Sequence, residues 1–370
     1  MKSDDRKLGI CVIGSGRAGM IHARNFARRV TRARLVALTD AHAPTLADAR
    51  AELEVETGYA DYRQALADPR VDAVVVVTPT SLHREVVLAA AKAGKHVLCE
   101  KPMAVDVREC DDMIDACARA SVKLQLGFMR RYDESFRAAK ERLDSGEIGE
   151  AVLVKSLTHG PSVPQEWTYD IAKSNGPLAE VNSHDIDAAR WFTGNEIAEV
   201  YAIGGNFRCP QAREKHPDFY DNVAMVCRFA DGRQGFIDGA VSAGYGYDSR
   251  MEILGTRGIL FVGRTEQDTV TGCSTERGIV RPFVKSWRTL FTEAYFAEDQ
   301  DFVDCILDGR EPRVRGVDGR MAVAVVNGMD ERLREHLPAS QAKRFLHELD
   351  FDHLGKGFLA HTVQVVLAQR

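Results

Sequence analysis

Glu100-Lys101-Pro102 follows the short apolar run His96–Cys99 and sets a lysine at the carboxyl end of a strand. In an open α/β sheet that edge is where ligands bind. An ammonium there can donate hydrogen bonds to a substrate hydroxyl or carbonyl. A plain strand-end Lys-Pro turn explains the tripeptide taken alone, and its weight comes from what precedes it. Gly14-Ser15-Gly16-Arg17-Ala18-Gly19 follows an apolar run and opens a helical stretch, the context in which Gly-x-Gly-x-x-Gly binds a dinucleotide. Gly14 permits the turn, Gly16 lets the backbone approach a pyrophosphate, and Gly19 allows close helix–strand packing. Asp40 ends the next apolar run, 21 residues after Gly19. Its carboxylate can accept hydrogen bonds from the ribose hydroxyls and repels a 2′-phosphate, so NAD is expected rather than NADP.

A second chemical signal lies in Gly176–Asp187, where Glu180, His184 and Asp187 fall at i, i+4 and i+7. In a helix they share a face. An imidazole with a carboxylate one turn away can act as a general base. The same spacing also suits a helix-terminal carboxylate with a structural histidine, or a His/carboxylate metal site. Hydride transfer to a nicotinamide needs no metal, and none is expected.

The elements that must hold these residues alternate. Leu8–Ile13, Leu35–Thr39, Val71–Thr78, His96–Cys99 and Val122–Phe128 read as strands. The nearly all-valine third run suits a parallel strand covered on both faces. Helical stretches follow the glycine loop to about Arg29, at Ser81–Ala93 before a Gly94 C-cap, and at Asp106–Ala120. This order predicts a Rossmann-type, doubly wound parallel sheet over residues 1–128. From 129 to 337 the pattern becomes α+β. Strands are expected at Ala151–Thr158, Val200–Phe207, Asn222–Phe229, Gln234–Val241, Arg250–Leu254 and Ile259–Gly263, with an Asp231-Gly232 hairpin. Helices are expected at Ser183–Phe192, Thr292–Leu307 and Asp318–His336. One large, mostly antiparallel open sheet with helices on one face leaves the other face to be covered, and self-association into a dimer or tetramer is the economical cover. Residues 338–370 form a tail of mixed pattern.

The chain has 370 residues, 45% hydrophobic and 28% charged, with a net charge of -5. This is ordinary for a globular protein and leaves no basic footprint for nucleic acid or an anionic membrane. Eight cysteines form no Cys-x-x-Cys pair, and no zinc pattern accompanies them. Free thiols in apolar runs, a polar N-terminus and no membrane-length apolar run give a cytoplasmic expectation.

Together, Gly14–Gly19, Glu100-Lys101-Pro102 and Glu180…His184 resemble the Gfo/Idh/MocA oxidoreductase family over about residues 8–335. Gly127–Asp133 and Tyr245-Gly246-Tyr247-Asp248 are similar to its inositol 2-dehydrogenase branch. The resemblance implies an NAD-dependent oxidation of a secondary hydroxyl on a cyclitol or sugar. By this resemblance Lys101 and His184 are the catalytic pair, with Glu180 beside the histidine. Arg131, His159, Trp167 and Tyr245 line the polyol site. Thr78, Pro79 and His83 lie along the cofactor with Ser15, Arg17 and Ala18 of the loop, and Glu100 lies near the nicotinamide end. Three departures fall where substrate should sit: Glu180 replaces the branch's usual Asp, Pro161 replaces a polar residue, and Gln165–Asn175 is longer. Two other readings share the fold, a redox-neutral enzyme that oxidises a glycoside transiently and a non-catalytic sugar-sensing regulator.

Overall fold

The structure, a computed structural model, describes residues 7–336. The 338–370 tail lies outside the described residues. Residues through Met329 form one compact unit.

Six parallel strands make the first sheet: β1 (Leu8–Ile13), β2 (Ala33–Thr39), β3 (Gly58–Tyr59), β4 (Ala73–Val76), β5 (His96–Cys99) and β6 (Leu124–Leu126). Their order is β3-β2-β1-β4-β5-β6. Every residue of β1 and β4 is buried, as unbroken apolar runs require in a sheet covered on both faces. The strand order reverses at β1 and β4, so a crevice opens at their carboxyl ends, beyond the paired Ile13 and Val76.

Helix Gly19–Arg28 packs on Thr292–Leu307, and His83–Lys92 packs on Val107–Arg119. Phe302 and Val303 join Ile10, Val12 and Leu38 in one apolar core. The core of the parallel sheet therefore draws on a helix far beyond the 1–128 range that the alternation of strands and helices suggested. Helices Ala43–Leu53, Tyr62–Ala67 and Glu134–Asp144 were not expected from the pattern. The first buries only Leu46, Ala49 and Leu53, too thin a stripe to stand out among alanines.

The second sheet contains β7 (Ala151–His159), β8 (Ile197–Gly205), β9 (Asn222–Phe229), β10 (Gln234–Ala240), β11 (Asp248–Gly255) and β12 (Ile259–Val262), in the order β12-β11-β7-β10-β9-β8. All pairs are antiparallel except β7 with β10. The predicted hairpin joins β9 to β10, with Gly232 at φ +91°. Alternation splits the sheet into two faces. Val154, Ser156 and Thr158 of β7 are buried on the face that meets helix Ser183–Thr193. On the other face a row runs across all six strands: Tyr201, Val226, Phe236, Lys155, Glu252 and Phe261.

Candidate functional site

At the switch point Gly14 holds φ +100°, and its N–H donates to Thr39 O at 2.8 Å. A Cβ on Gly14 would stand 2.4 Å from Val77 O, so this turn is pressed against the end of β4. Gly16 is different: an added Cβ there meets nothing within 4 Å, because its side faces open space. Helix Gly19–Arg28 starts without a side-chain cap. Met20 N and Ile21 N donate back to Gly16 O and Ala18 O at 2.9 Å, so a phosphate would be met by the loop N–H groups ahead of them. Asp40 accepts from Ser15 N and His42 N, both at 2.8 Å, which fixes its carboxylate beside the loop. Thr78 Oγ1 is buried and unpartnered. An open glycine, a bare helix start, a fixed acid and an orphan hydroxyl fit an adenine dinucleotide.

A cleft of about 580 Å³ runs from this loop to the second sheet. Gly16, Arg17, Ala18, Thr78, Pro79, His83, Glu100, Lys101, Trp167, Glu180 and His184 all line it. A depression of about 590 Å³ near Arg28, Arg34 and Glu54 contains none of the chemical residues.

Lys101 Nζ donates to Glu180 O at 2.8 Å. That carbonyl belongs to a π-helical turn, Leu178–Asn182, which leads into helix Ser183–Thr193. Such turns recur at functional sites because they displace side chains from regular α register. The displacement matters here. Sequence spacing put Glu180 beside His184, yet Glu180 Oε1 accepts from Thr80 Oγ1 at 3.2 Å, and no hydrogen bond or ion pair joins it to His184. His184 packs edge-on to Phe128 at 5.7 Å, and its Nδ1 is buried without a partner. Burial, with the charges of Lys101 and Arg130, holds the imidazole well below its ordinary pKa. Burial pushes Glu180 up, against the opposing pull of Lys101 and Thr80.

Below Lys101, Glu100 Oε2 accepts from Lys101 N at 3.0 Å, and Glu100 Oε1 lies 3.1 Å from His22 Nε2. Asp299 Oδ1 lies 2.7 Å from His22 Nδ1. Burial opposes charge on His22, but Asp299 and Glu100 outweigh it and raise its pKa. Glu298 is buried nearby with neither carboxyl oxygen hydrogen-bonded, and burial and Glu100 raise its pKa well above the usual range.

His83, assigned along the cofactor, spends both ring nitrogens on backbone: Nε2 is 2.8 Å from Thr78 O and Nδ1 is 2.9 Å from Pro102 O. It ties the cofactor-side loop to the Lys101 turn. Arg131, His159 and Tyr245 do not line the cleft. Arg131 forms a buried cluster with Asp187 (2.6 Å) and Asp318 (3.0 Å). Asp187 is thereby spent on Arg131, away from the imidazole. His159 falls on the opposite alternation of β7 from Thr158, with its Nδ1 against Tyr245 OH and Nε2 3.1 Å from Asp238 Oδ1. The residues missed by sequence reasoning are Thr80, Thr158, Tyr247, Trp287 and Tyr295, all in the cleft wall. Thr158 was within reach: the period of two in β7 puts it and His159 on opposite faces.

Fold and loop together define an oxidoreductase built on a dinucleotide-binding domain. Residues 8–128 match the oxidoreductase family with the NAD-binding Rossmann fold, and residues 136–261 match the GFO/IDH/MocA C-terminal domain. The chain belongs to the Gfo/Idh/MocA family. It is 34% identical over 326 residues to a myo-inositol 2-dehydrogenase of Thermotoga maritima, covering 88% of this chain and 96% of that one. It is 32% identical over 334 residues to an NAD(+) scyllo-inositol 2-dehydrogenase of Bacillus subtilis, covering 90% and 96%. The crystal structure of scyllo-inositol dehydrogenase from Lactobacillus casei with bound NAD(H) and scyllo-inositol aligns at TM-score 0.83 and 32% identity, covering 89% and 98%.

Proposed function

We propose that this protein is an NAD-dependent dehydrogenase that oxidises a secondary hydroxyl of a cyclitol or related sugar to a ketone. The observation that carries the reading is His184 in the cleft, buried, its Nδ1 unpartnered and its imidazole held neutral, with Lys101 in the same wall. Bound NAD supplies the hydride acceptor. The neutral His184 takes the hydroxyl proton as general base. Lys101, steadied by the Glu180 carbonyl, donates to the same oxygen and stabilises its developing negative charge. Glu180 acts on the Lys101 side of the site, through its carbonyl and its Thr80 contact, rather than by holding the imidazole. Relatives named as inositol 2-dehydrogenases support the cyclitol class.

The row of Tyr201, Val226, Phe236 and Phe261, with the Lys155–Glu252 pair among them, supports a homo-oligomer joined through that sheet. Eight free thiols, seven of them buried, fit a reducing cytoplasm. Among the described residues no helix is long and apolar enough to cross a membrane. The test is nicotinamide absorbance with purified protein and NAD across inositol stereoisomers, amino-cyclitols and aldoses. NADH formed with one class supports the reading and identifies the substrate. Silence across the panel with NAD bound transfers it to a redox-neutral enzyme or a sensor.

A further inference from the structure

Arg130 is 1% exposed, a fully buried guanidinium. Its Nη1 donates to Asp185 Oδ1 at 2.7 Å, and Asp185 Oδ2 also accepts from Asn182 Nδ2 at 2.9 Å. The ring of Phe136 lies 5.7 Å away. The arginine is therefore fixed, and its charge is balanced from behind.

Its other terminal nitrogen, Nη2, donates to Thr158 Oγ1. A guanidinium has no acceptor, so the Thr158 hydroxyl has no choice of role at that contact: it accepts. Its own proton must point elsewhere. Among the described residues no acceptor takes that proton. Thr158 is 1% exposed as a residue, yet it forms part of the cleft wall with Lys101 and His184. Across the ladder it faces Gly239 on β10, where Asn182 fills the space, and the buried hydroxyl of Ser249 on β11, so its one open direction is the cleft it lines.

We infer that Thr158 is a substrate-reading hydroxyl, polarised by Arg130 to donate a hydrogen bond to one non-reacting oxygen of the polyol. Arg130 is a positioning residue. An ordinary threonine hydroxyl rotates and can accept as readily as it donates. One with a lone pair engaged by a buried cation keeps its proton for another partner, and the charge polarises it into a stronger donor. It selects an oxygen that can accept at one position of the ring, and a ring lacking that oxygen leaves a buried donor unpaired. This inference rests on the polyol dehydrogenase reading and adds the residue that decides which ring position is read.

The experiment compares kcat/KM of wild type, T158V and T158S on the active polyol and its mono-deoxy analogues. Thermal unfolding and NAD affinity are measured alongside. T158V should lose about 10- to 100-fold on the parent polyol, with NAD affinity unchanged. One deoxy analogue should cost wild type a similar factor and cost T158V little more, because enzyme and substrate have lost the two halves of one bond. T158S should restore most of the activity. If T158V does not fold, T158C is read in the same way. Wild-type kcat/KM in the folded variant, or the same further loss on every deoxy analogue, would overturn the inference and leave the dehydrogenase intact. No NADH from wild type on any polyol would overturn both.

Discussion

At the scale of single residues, the proposed chemistry depends on keeping His184 uncharged. Its folded pKa lies well below 6.5, because burial excludes water and both Lys101 and Arg130 oppose a second positive charge. A base must be neutral to work, so kcat/KM for alcohol oxidation should hold as pH falls through 6.5 and drop only on the acid side of that value. K101M removes one of the opposing charges. Its acid limb should move up toward 6.5, on top of a lower rate, when pH profiles of the two enzymes are compared. An unmoved limb would take Lys101 out of the electrostatics of His184. H184A should lower kcat by about 10²–10⁴ and leave NAD affinity near wild type. Asp40 is tied by two backbone N–H groups beside the loop, so D40A removes both a ribose acceptor and the repulsion of a 2′-phosphate. The ratio of kcat/KM for NAD over NADP should fall about tenfold or more, and an unchanged ratio would refute the role of Asp40.

At the scale of elements, helix Thr292–Leu307 contributes apolar side chains to the nucleotide-binding half and carries three buried acids, Glu298, Asp299 and Asp301. Glu298 is the costly one, buried with no hydrogen-bond partner and with its pKa raised well above 4.5. The folded chain holds that proton at pH values where the unfolded chain has released it. The unfolded state then binds fewer protons, so this group lowers stability progressively as pH rises above 4.5. E298Q keeps the shape and removes the penalty. Its Tm should exceed wild type at pH 8 by about 2 °C or more, and the difference should shrink toward pH 5. A variant less stable at pH 8 would show that Glu298 is charged and paired. None of this was legible in the sequence, where Asp299 and Glu298 look like ordinary helix-surface acids. The strand-end placement of the glycine loop, Asp40 and Lys101 was legible, because glycine turns and strand alternation carry it in the sequence. Glu180 was read in the wrong relation to His184, because i, i+4 spacing assumes α geometry and the chain makes a π turn there. Arg131 was read as a polyol ligand, yet it turns into a buried cluster with Asp187 and Asp318, because sequence alone does not say which way a residue in a short turn points.

At the scale of the whole molecule, the outer face of the second sheet is the largest feature without a function inside one chain. Tyr201 pairs across the ladder with Val226 and Phe236 with Val226 on its other side, while Glu252 pairs with Phe261 at the far edge. The Lys155–Glu252 ion pair, 3.2 Å, sits between these apolar ends. Ile203 is 56% and Phe261 72% exposed. Single exposed apolar residues are normal, but a row spanning six strands is the kind of surface that the proposed self-association would cover. A symmetric dimer would pair the row with itself, apolar ends over apolar ends or over the aliphatic stems of the ion pair. The cleft lies on the other face, with Thr158 and His184, so loss of assembly should leave the chemistry standing. I203D puts an unpartnered charge on the β8 edge of the contact. Light scattering coupled to size exclusion should show wild type as a dimer or larger and I203D as a monomer, with far-UV spectrum and NAD affinity retained. The same mass for both proteins on dilution would remove this face from self-association. A monomeric I203D that has also lost NAD binding would show instead that the two sheets are energetically coupled through β7, whose inner residues build the cleft and whose outer residues build the face.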